Sequence, residues 1–182
     1  MGESFCWSAG SRLVLHQDSH TSTLGLRQLC PGAQVTLATD HTMLEESHHS
    51  GDQRAPNLFC FPAMSNFNGK KYPLSWVEKL QQSSQNFVLL DAAAFLSSNG
   101  LDLAEIQPAF IVLSFYKMFG YPTGLGALLV KKSCIGVLHK KYFGGGTVDV
   151  ALVQKNFHVS RKHTSQKYED GTSHFLGQIS PI

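Results

Sequence analysis

Phe87-Val-Leu-Leu-Asp91-Ala-Ala, then Phe110-Ile-Val-Leu-Ser114-Phe-Tyr-Lys117, then Gly120-Tyr-Pro-Thr-Gly124-Leu-Gly126: the reading of these three stretches decides the fold. One apolar run ends in a carboxylate. The next ends in a hydroxyl and an amine, and a glycine-rich turn follows. Phe87–Leu90 and Phe110–Leu113 are short and continuously apolar rather than alternating, the pattern of strands buried on both faces. Gly126–Val130 reads as a third. Working outward, Arg12–His16 and Asn57–Phe61 are further apolar runs, the latter stopped by Pro62, and Ala33–Thr39 is another strand candidate. Asp18–Ser22 reads as a strand-to-helix turn with Ser19, Thr21 and Ser22 as candidate caps. Leu74–Gln82 has helical spacing, with Trp76, Val77 and Leu80 on one side. Strands separated by helical or long connecting segments predict an α/β fold with a mainly parallel sheet and helices packed on it. In such sheets ligands gather at the carboxyl ends of the strands, where Asp91, Lys117, Asp18–His20 and Ser65-Asn66 all fall.

Bulk properties narrow the function. A chain of 182 residues supports one well-buried core. With 42% hydrophobic and 15% charged residues it reads as a globular protein. A net charge of +2 with no basic stripe gives no case for nucleic acid. No apolar run is long enough to cross a bilayer, so no membrane partner is expected. The start lacks a secretory pattern, and Cys6 stands where a myristoylation signal needs Ser or Thr. Cys6, Cys30, Cys60 and Cys134 are widely spaced without a C-x-x-C pair, which predicts reduced thiols and a cytoplasmic setting. Residues 1–10 show no periodicity and read as a loose end, leaving 11–182 as the folded part. The segment from Phe175 reads as the start of a helix.

An acid and an amine at the tips of neighbouring buried strands are what pyridoxal phosphate chemistry requires. The amine condenses with the cofactor aldehyde, and the acid keeps the pyridine nitrogen protonated so that the ring withdraws electrons. Desolvation at the strand end favours the free amine of Lys117. Alone, Lys117 would be a surface lysine; Ser114, Gly124, Gly126 and Asp91 around it favour the cofactor. Asp91 on an apolar strand needs a partner for its charge, although a helix cap or a magnesium ligand would also use it. His20 is a candidate for lying on the ring or for acid–base work, and Asn66 for a bond to the phenolic oxygen. Gly144-Gly-Gly-Thr147 suggests a phosphate cradle but lacks the Gly-Lys-Ser/Thr of a P-loop, and Gly124-Leu-Gly126 fails the dinucleotide pattern. His41, His48 and His49 are metal candidates on a polar stretch that reads as a solvated loop.

DSHTS (18–22), LFCFPAMSNFNGKKYPLSW (58–76), FVLLDAAAFLS (87–97), LSFYKMFGYPTGLGALLV (113–130), YFGGGT (142–147) and YEDGTSHFL (168–176) together resemble the class V aminotransferase and cysteine desulfurase group. Within it they are most similar to the amino-terminal domain of the molybdenum cofactor sulfurases. The resemblance implies a three-layer α/β/α large domain of the pyridoxal-phosphate fold type I, incomplete here and spanning 11–182. It implies pyridoxal phosphate bound through Lys117, with Asp91 on the pyridine nitrogen, His20 on the ring, Asn66 nearby and Ser114 on the phosphate. Gly171-Thr172 matches a turn that reaches the phosphate of a neighbouring subunit in the desulfurases, so Thr172 and a homodimer are implied too. The implied reaction takes sulfur from L-cysteine through an enzyme persulfide to the molybdenum cofactor of xanthine dehydrogenase and aldehyde oxidase.

The chain also departs from the pattern. Ala94 stands where related desulfurases carry a ring-contacting Gln or His, and Tyr116 where many carry a phosphate-binding His. No match exists for the upstream phosphate turn, the substrate-carboxylate arginine or the persulfide cysteine loop, and none of the four cysteines fits that last position. These departures predict little desulfurase activity from this chain alone. They leave an alternative of another class, a non-catalytic remnant that binds the cofactor or a partner.

Overall fold

Six of the predicted apolar and flanking segments form one sheet. The computed structural model describes residues 1–48, 54–120 and 123–179. Its strands are β1 (Arg12–His16), β2 (Gln34–Ala38), β3 (Asn57–Pro62), β4 (Asn86–Asp91), β5 (Phe110–Ser114) and β6 (Gly126–Val130), in the order β2-β1-β3-β4-β5-β6. β1 to β5 run parallel, and β6 returns antiparallel to β5. The chain therefore has the expected α/β class with a mostly parallel sheet. β1 and β3 are adjacent while β2 lies outside them, so the connections diverge on either side of β1. Crevices form at such a point beyond the strand tips.

Burial follows the two-residue period. Val14, Phe59, Phe61, Val88 and Leu90 pack with Trp76, Val77 and Leu80 of helix α2 (Trp76–Leu80) and with Tyr72 and Phe95. The alternate residues, among them Leu13, Leu58 and Phe110, turn to the opposite face and are also buried. Each fully buried large side chain stabilises the fold by about 1.5–3 kcal/mol. At the amino ends, Asn57 Oδ1 accepts the Arg12 N–H at 3.0 Å and its Nδ2 donates to Asn86 Oδ1 at 3.0 Å, tying three strands together.

Several expectations change. Residues 1–10 are not loose: a sheet buried on both faces needs a second cover, and Phe5, 3% exposed, supplies part of it. Its ring meets Phe87 and Phe110, Trp7 packs on it, and Phe5 bridges Leu138. β6 is not a buried strand, because it has a neighbour on one side only; Leu128 and Leu129 are exposed. The expected helical layers are thin, with α1 (Thr21–Leu24), α2 and α3 (Phe115–Phe119) each of a single turn or little more. The chain divides into two compact units, Met1–Leu138 and His139–Ile182. The second unit holds the antiparallel pair β7 (Val148–Leu152) and β8 (Phe157–Ser160) with helices α4 (Thr164–Tyr168) and α5 (Phe175–Ile179), the last as predicted. No helix among the described residues is long and apolar enough to cross a membrane.

Two features of the first unit are directly testable. A Cβ on Gly126 would lie 2.5 Å from the Leu113 carbonyl oxygen, so the β5–β6 pairing needs glycine there. Gly126→Ala should lower unfolding stability by about 1–3 kcal/mol in denaturant titrations; an unchanged midpoint would contradict this packing. His16 is fully buried, accepts the Asp18 N–H on Nδ1 at 3.2 Å and donates from Nε2 to Asp40 at 3.0 Å, which uses the neutral ring completely. Burial lowers its pKa, outweighing the pull of Asp40 in the other direction. With the folded value below the unfolded one, the contribution is full above about pH 6.5 and is lost as pH falls toward the folded value. The melting temperature should therefore drop between pH 7 and pH 5, and the His16 ring should titrate below the free imidazole in NMR. A His16 titration above the free value would refute this assignment.

Candidate active site

The carboxyl tips of β1, β3, β4 and β5 each deliver polar groups, because polar side chains are excluded from the strand interiors. After β1 the chain turns through Asp18-Ser19-His20 into α1. The cap of α1 is His20 rather than Ser19, Thr21 or Ser22: its Nδ1 accepts the Ser22 N–H at 3.2 Å. With Nδ1 accepting, the proton of a neutral ring sits on Nε2, and the ring is exposed.

Asp91 is the last residue of β4 and is 8% exposed. Its Oδ1 accepts the Ala93 N–H at 3.0 Å and its Oδ2 the Thr23 hydroxyl at 3.4 Å. No cation pairs with it among the described residues. Burial and the charge of Asp91 push the thiol of neighbouring Cys60 well up, so Cys60 is a poor nucleophile. Thr23 belongs to no motif in the sequence; the signal for it is only its place one turn after His20.

Asn66 lies in the loop after β3, where Ser65 Oγ accepts the Phe67 N–H and the Ser65 N–H reaches Lys70 O at 2.8 Å. Ser114 ends β5 and caps α3 with its backbone only, and its hydroxyl makes no hydrogen bond among the described residues. Lys117 sits on α3, half-buried rather than fully desolvated, and donates to Asn66 Oδ1 at 2.7 Å. Gly120 at φ 80° closes α3 in the left-handed region, where a side chain would be strained.

These tips enclose a cleft of about 280 Å³ whose lining includes His20, Asn66, Asp91, Ser114 and Lys117. Five sequence-derived candidates therefore meet at one place. Ala94 also lines it and offers only a methyl group, and Tyr116 stands at its edge. Thr172 lies in the second unit, on an exposed stretch, and is not among the lining residues. Pyridoxal phosphate suits this donor set: an amine, an amide, an imidazole and, among the described residues, a nearly buried carboxylate bonded only to neutral donors and a hydroxyl without a hydrogen bond.

Other sequence candidates serve the fold. Gly124 and Gly126 do not line the cleft; Gly126 admits the Leu113 carbonyl, and Gly124 takes a φ of 80°. The Gly144–Gly146 loop already holds an anion of the chain's own. Asp170 Oδ1 accepts the Gly144 N–H at 2.6 Å and Lys140 Nζ at 2.6 Å, and the Lys140 bond, foremost, lowers the Asp170 pKa. His49 lies outside the described residues, among which no group of three or more His, Cys, Asp or Glu side chains is placed to hold a metal.

Comparison with known proteins identifies relatives of the chain. Over 99% of its length the chain is 43% identical to molybdenum cofactor sulfurase 3 of Aedes aegypti, of which it covers 25%. It is 41% identical to the molybdenum cofactor sulfurase of Homo sapiens, again over 99% of the chain and 23% of that protein. The chain thus spans about a quarter of the curated relatives it matches. The crystal structure of the cysteine desulfurase CsdA from Escherichia coli shares the fold at a TM-score of 0.79 with 20% identity, over 97% of this chain and 45% of that one. The model of the family Aminotransferase class-V matches residues 2–180, and the chain belongs to that family.

Proposed function

We propose that this chain is part of a pyridoxal-phosphate-dependent sulfur-transfer enzyme of the molybdenum cofactor sulfurase kind, with residues 11–182 contributing to one cofactor-binding domain. One observation carries the reading: Lys117 and Asp91 line the same cleft, and the nearly buried Asp91 carboxylate has no counter-cation among the described residues. A protonated pyridine nitrogen is the charge it lacks, and leaving a buried carboxylate unpaired costs about 3–5 kcal/mol. When bound, pyridoxal phosphate supplies an electron sink for bonds broken at the substrate carbon.

In this reading Lys117 is the catalytic amine, holding the cofactor and then moving protons at Nζ. Asp91 keeps the ring nitrogen protonated. His20 lies against the ring and exchanges protons through Nε2, since Nδ1 caps α1. Asn66 has its Oδ1 on Lys117 and so offers Nδ2 to the phenolic oxygen. Ser114 gives its free hydroxyl to the phosphate, and Thr172 reaches the phosphate of a second subunit in a homodimer. The substrate is L-cysteine, which leaves as alanine. Its sulfur passes to the molybdenum cofactor used by xanthine dehydrogenase and aldehyde oxidase, in the cytoplasm.

A second reading, a cofactor-binding chain without turnover, draws on the cysteines. Among the described residues no cysteine lines the cleft, and Cys30 and Cys60 are buried with their thiol pKa values raised by burial. Neither of these two buried thiols is then suited to accept the sulfur of the proposed reaction.

Two measurements follow. Adding pyridoxal phosphate to the wild-type chain should give a visible absorption band that Lys117→Ala loses, and Asp91→Ala should weaken binding at least tenfold, about 1.4 kcal/mol; identical spectra for wild type and Lys117→Ala would refute the cofactor reading. The isolated chain should release little or no alanine from L-cysteine. Release at a rate near that of related desulfurases would overturn this second reading.

A further inference from the structure

His20 and Asn66 stand on two separate loops, and neither loop is held by the sheet alone. The Asn66 loop leaves β3 at Ala63, whose N–H still reaches Asp91 O at 2.8 Å, and closes at the Met64–Lys71 bridge. The His20 loop leaves β1 at His16. What joins them is polar, with Tyr72 and His16 buried, Asp18 and Asp40 half-buried and Lys70 exposed. Tyr72, 3% exposed, donates its hydroxyl to Asp18 Oδ2, two residues before His20. Its ring lies edge-on to His16 with centroids 4.5 Å apart, and His16 Nδ1 in turn accepts the Asp18 N–H. At the tip of β2, Asp40 accepts from His16 Nε2 and from Lys70 Nζ, and Lys70 also lies 5.3 Å from the centroid of the Tyr72 ring. None of Asp18, Asp40, Lys70 and Tyr72 lines the cleft.

We propose that the Asp18–Tyr72 hydrogen bond, backed by Asp40 with His16 and Lys70, is a positioning clamp that locks the Asn66 loop to the His20 turn and so aims Asn66 at Lys117. The geometry leaves this role to them. Two carboxylates on the β1 and β2 side each take a donor from the closing end of the Asn66 loop, Asp40 from Lys70 and Asp18 from Tyr72, and Asn66 lies just upstream between Met64 and Lys70. Paired, hydrogen-bonded groups of this kind fix one arrangement, whereas an Asp18 carboxylate left without its donor favours rearrangement toward water. These five are positioning residues: they act on the site through His20 and Asn66 and line no part of the cleft. The functional consequence rests on the cofactor reading above; the clamp itself does not.

The test uses the full chain and Tyr72→Phe, which keeps the ring and removes the hydroxyl. In the ligand-free protein, hydrogen exchange at the amides of Ser65, Gly69 and Tyr72 should speed up at least tenfold, while the amides of β4 and β5 keep their protection. Pyridoxal phosphate should bind about tenfold more weakly, read from the absorption titration. Asp18→Ala should reproduce both effects. Asp18→Asn, which retains an acceptor oxygen for Tyr72, should restore most of the loop protection. Phe5→Leu, on the opposite face of the sheet, serves as a control for general loss of stability and should leave the loop amides as in wild type. Unchanged loop exchange in Tyr72→Phe, or equal loss of protection across β4, β5 and the loop, would overturn the clamp. If wild type and Lys117→Ala bind the cofactor alike, the cofactor reading fails, and the exchange measurements still decide the clamp. Loosened loop amides with undiminished cofactor affinity would overturn the positioning role.

Discussion

A nearly buried carboxylate that has no counter-charge among the described residues is the constraint on which the rest of this structure turns. Asp91 ends a strand whose preceding residues are apolar, and its two protein partners, the Ala93 N–H and the Thr23 hydroxyl, are neutral donors. Neutral hydrogen bonds only partly offset the desolvation of a charge. The amine of Lys117, which lines the same cleft, is held on Asn66 rather than on this carboxylate.

The same logic explains why the polar chemistry is gathered where it is. β1, β3 and β4 are buried along nearly their whole length and β5 over its first two residues, so their polar residues lie at their two ends. The amino ends are occupied by structure, in the Asn57–Asn86 ladder and in the buried ion pair of Arg12 with Glu46. The carboxyl ends are left for the cleft. Groups that a pattern-based reading would assign to ligands are in fact consumed internally: the Gly144–Gly146 loop binds the Asp170 carboxylate, and Gly126 makes room for a neighbouring strand.

Much of this was legible from residue order. The continuous apolar runs gave β1, β3, β4 and β5 almost to the residue, since a strand buried on both faces has no polar period to blur its limits. Asp91 and Ser114 could be placed at strand tips for the same reason, as the first polar residues after their runs, while His20 and Asn66 follow theirs within a few residues. The exposure of β6 was not, because whether an apolar strand is central or at an edge depends on how many neighbours it finds. The order of residues 1–10 was hidden too: Phe5 and Trp7 have no local period, and their burial follows from a sheet face made by strands far along the chain.

Sequence alone determined the class of fold, the strands and the chemical types at their tips, because hydrophobic periodicity and polar punctuation are local properties. Only the tertiary structure decided which tips meet, that Lys117 bonds to Asn66 rather than standing free, and that Asp18 and Asp40 tie the His20 and Asn66 loops together. Those partnerships span up to 54 residues between Asp18 and Tyr72, and no local pattern records a contact made by bringing distant strands side by side.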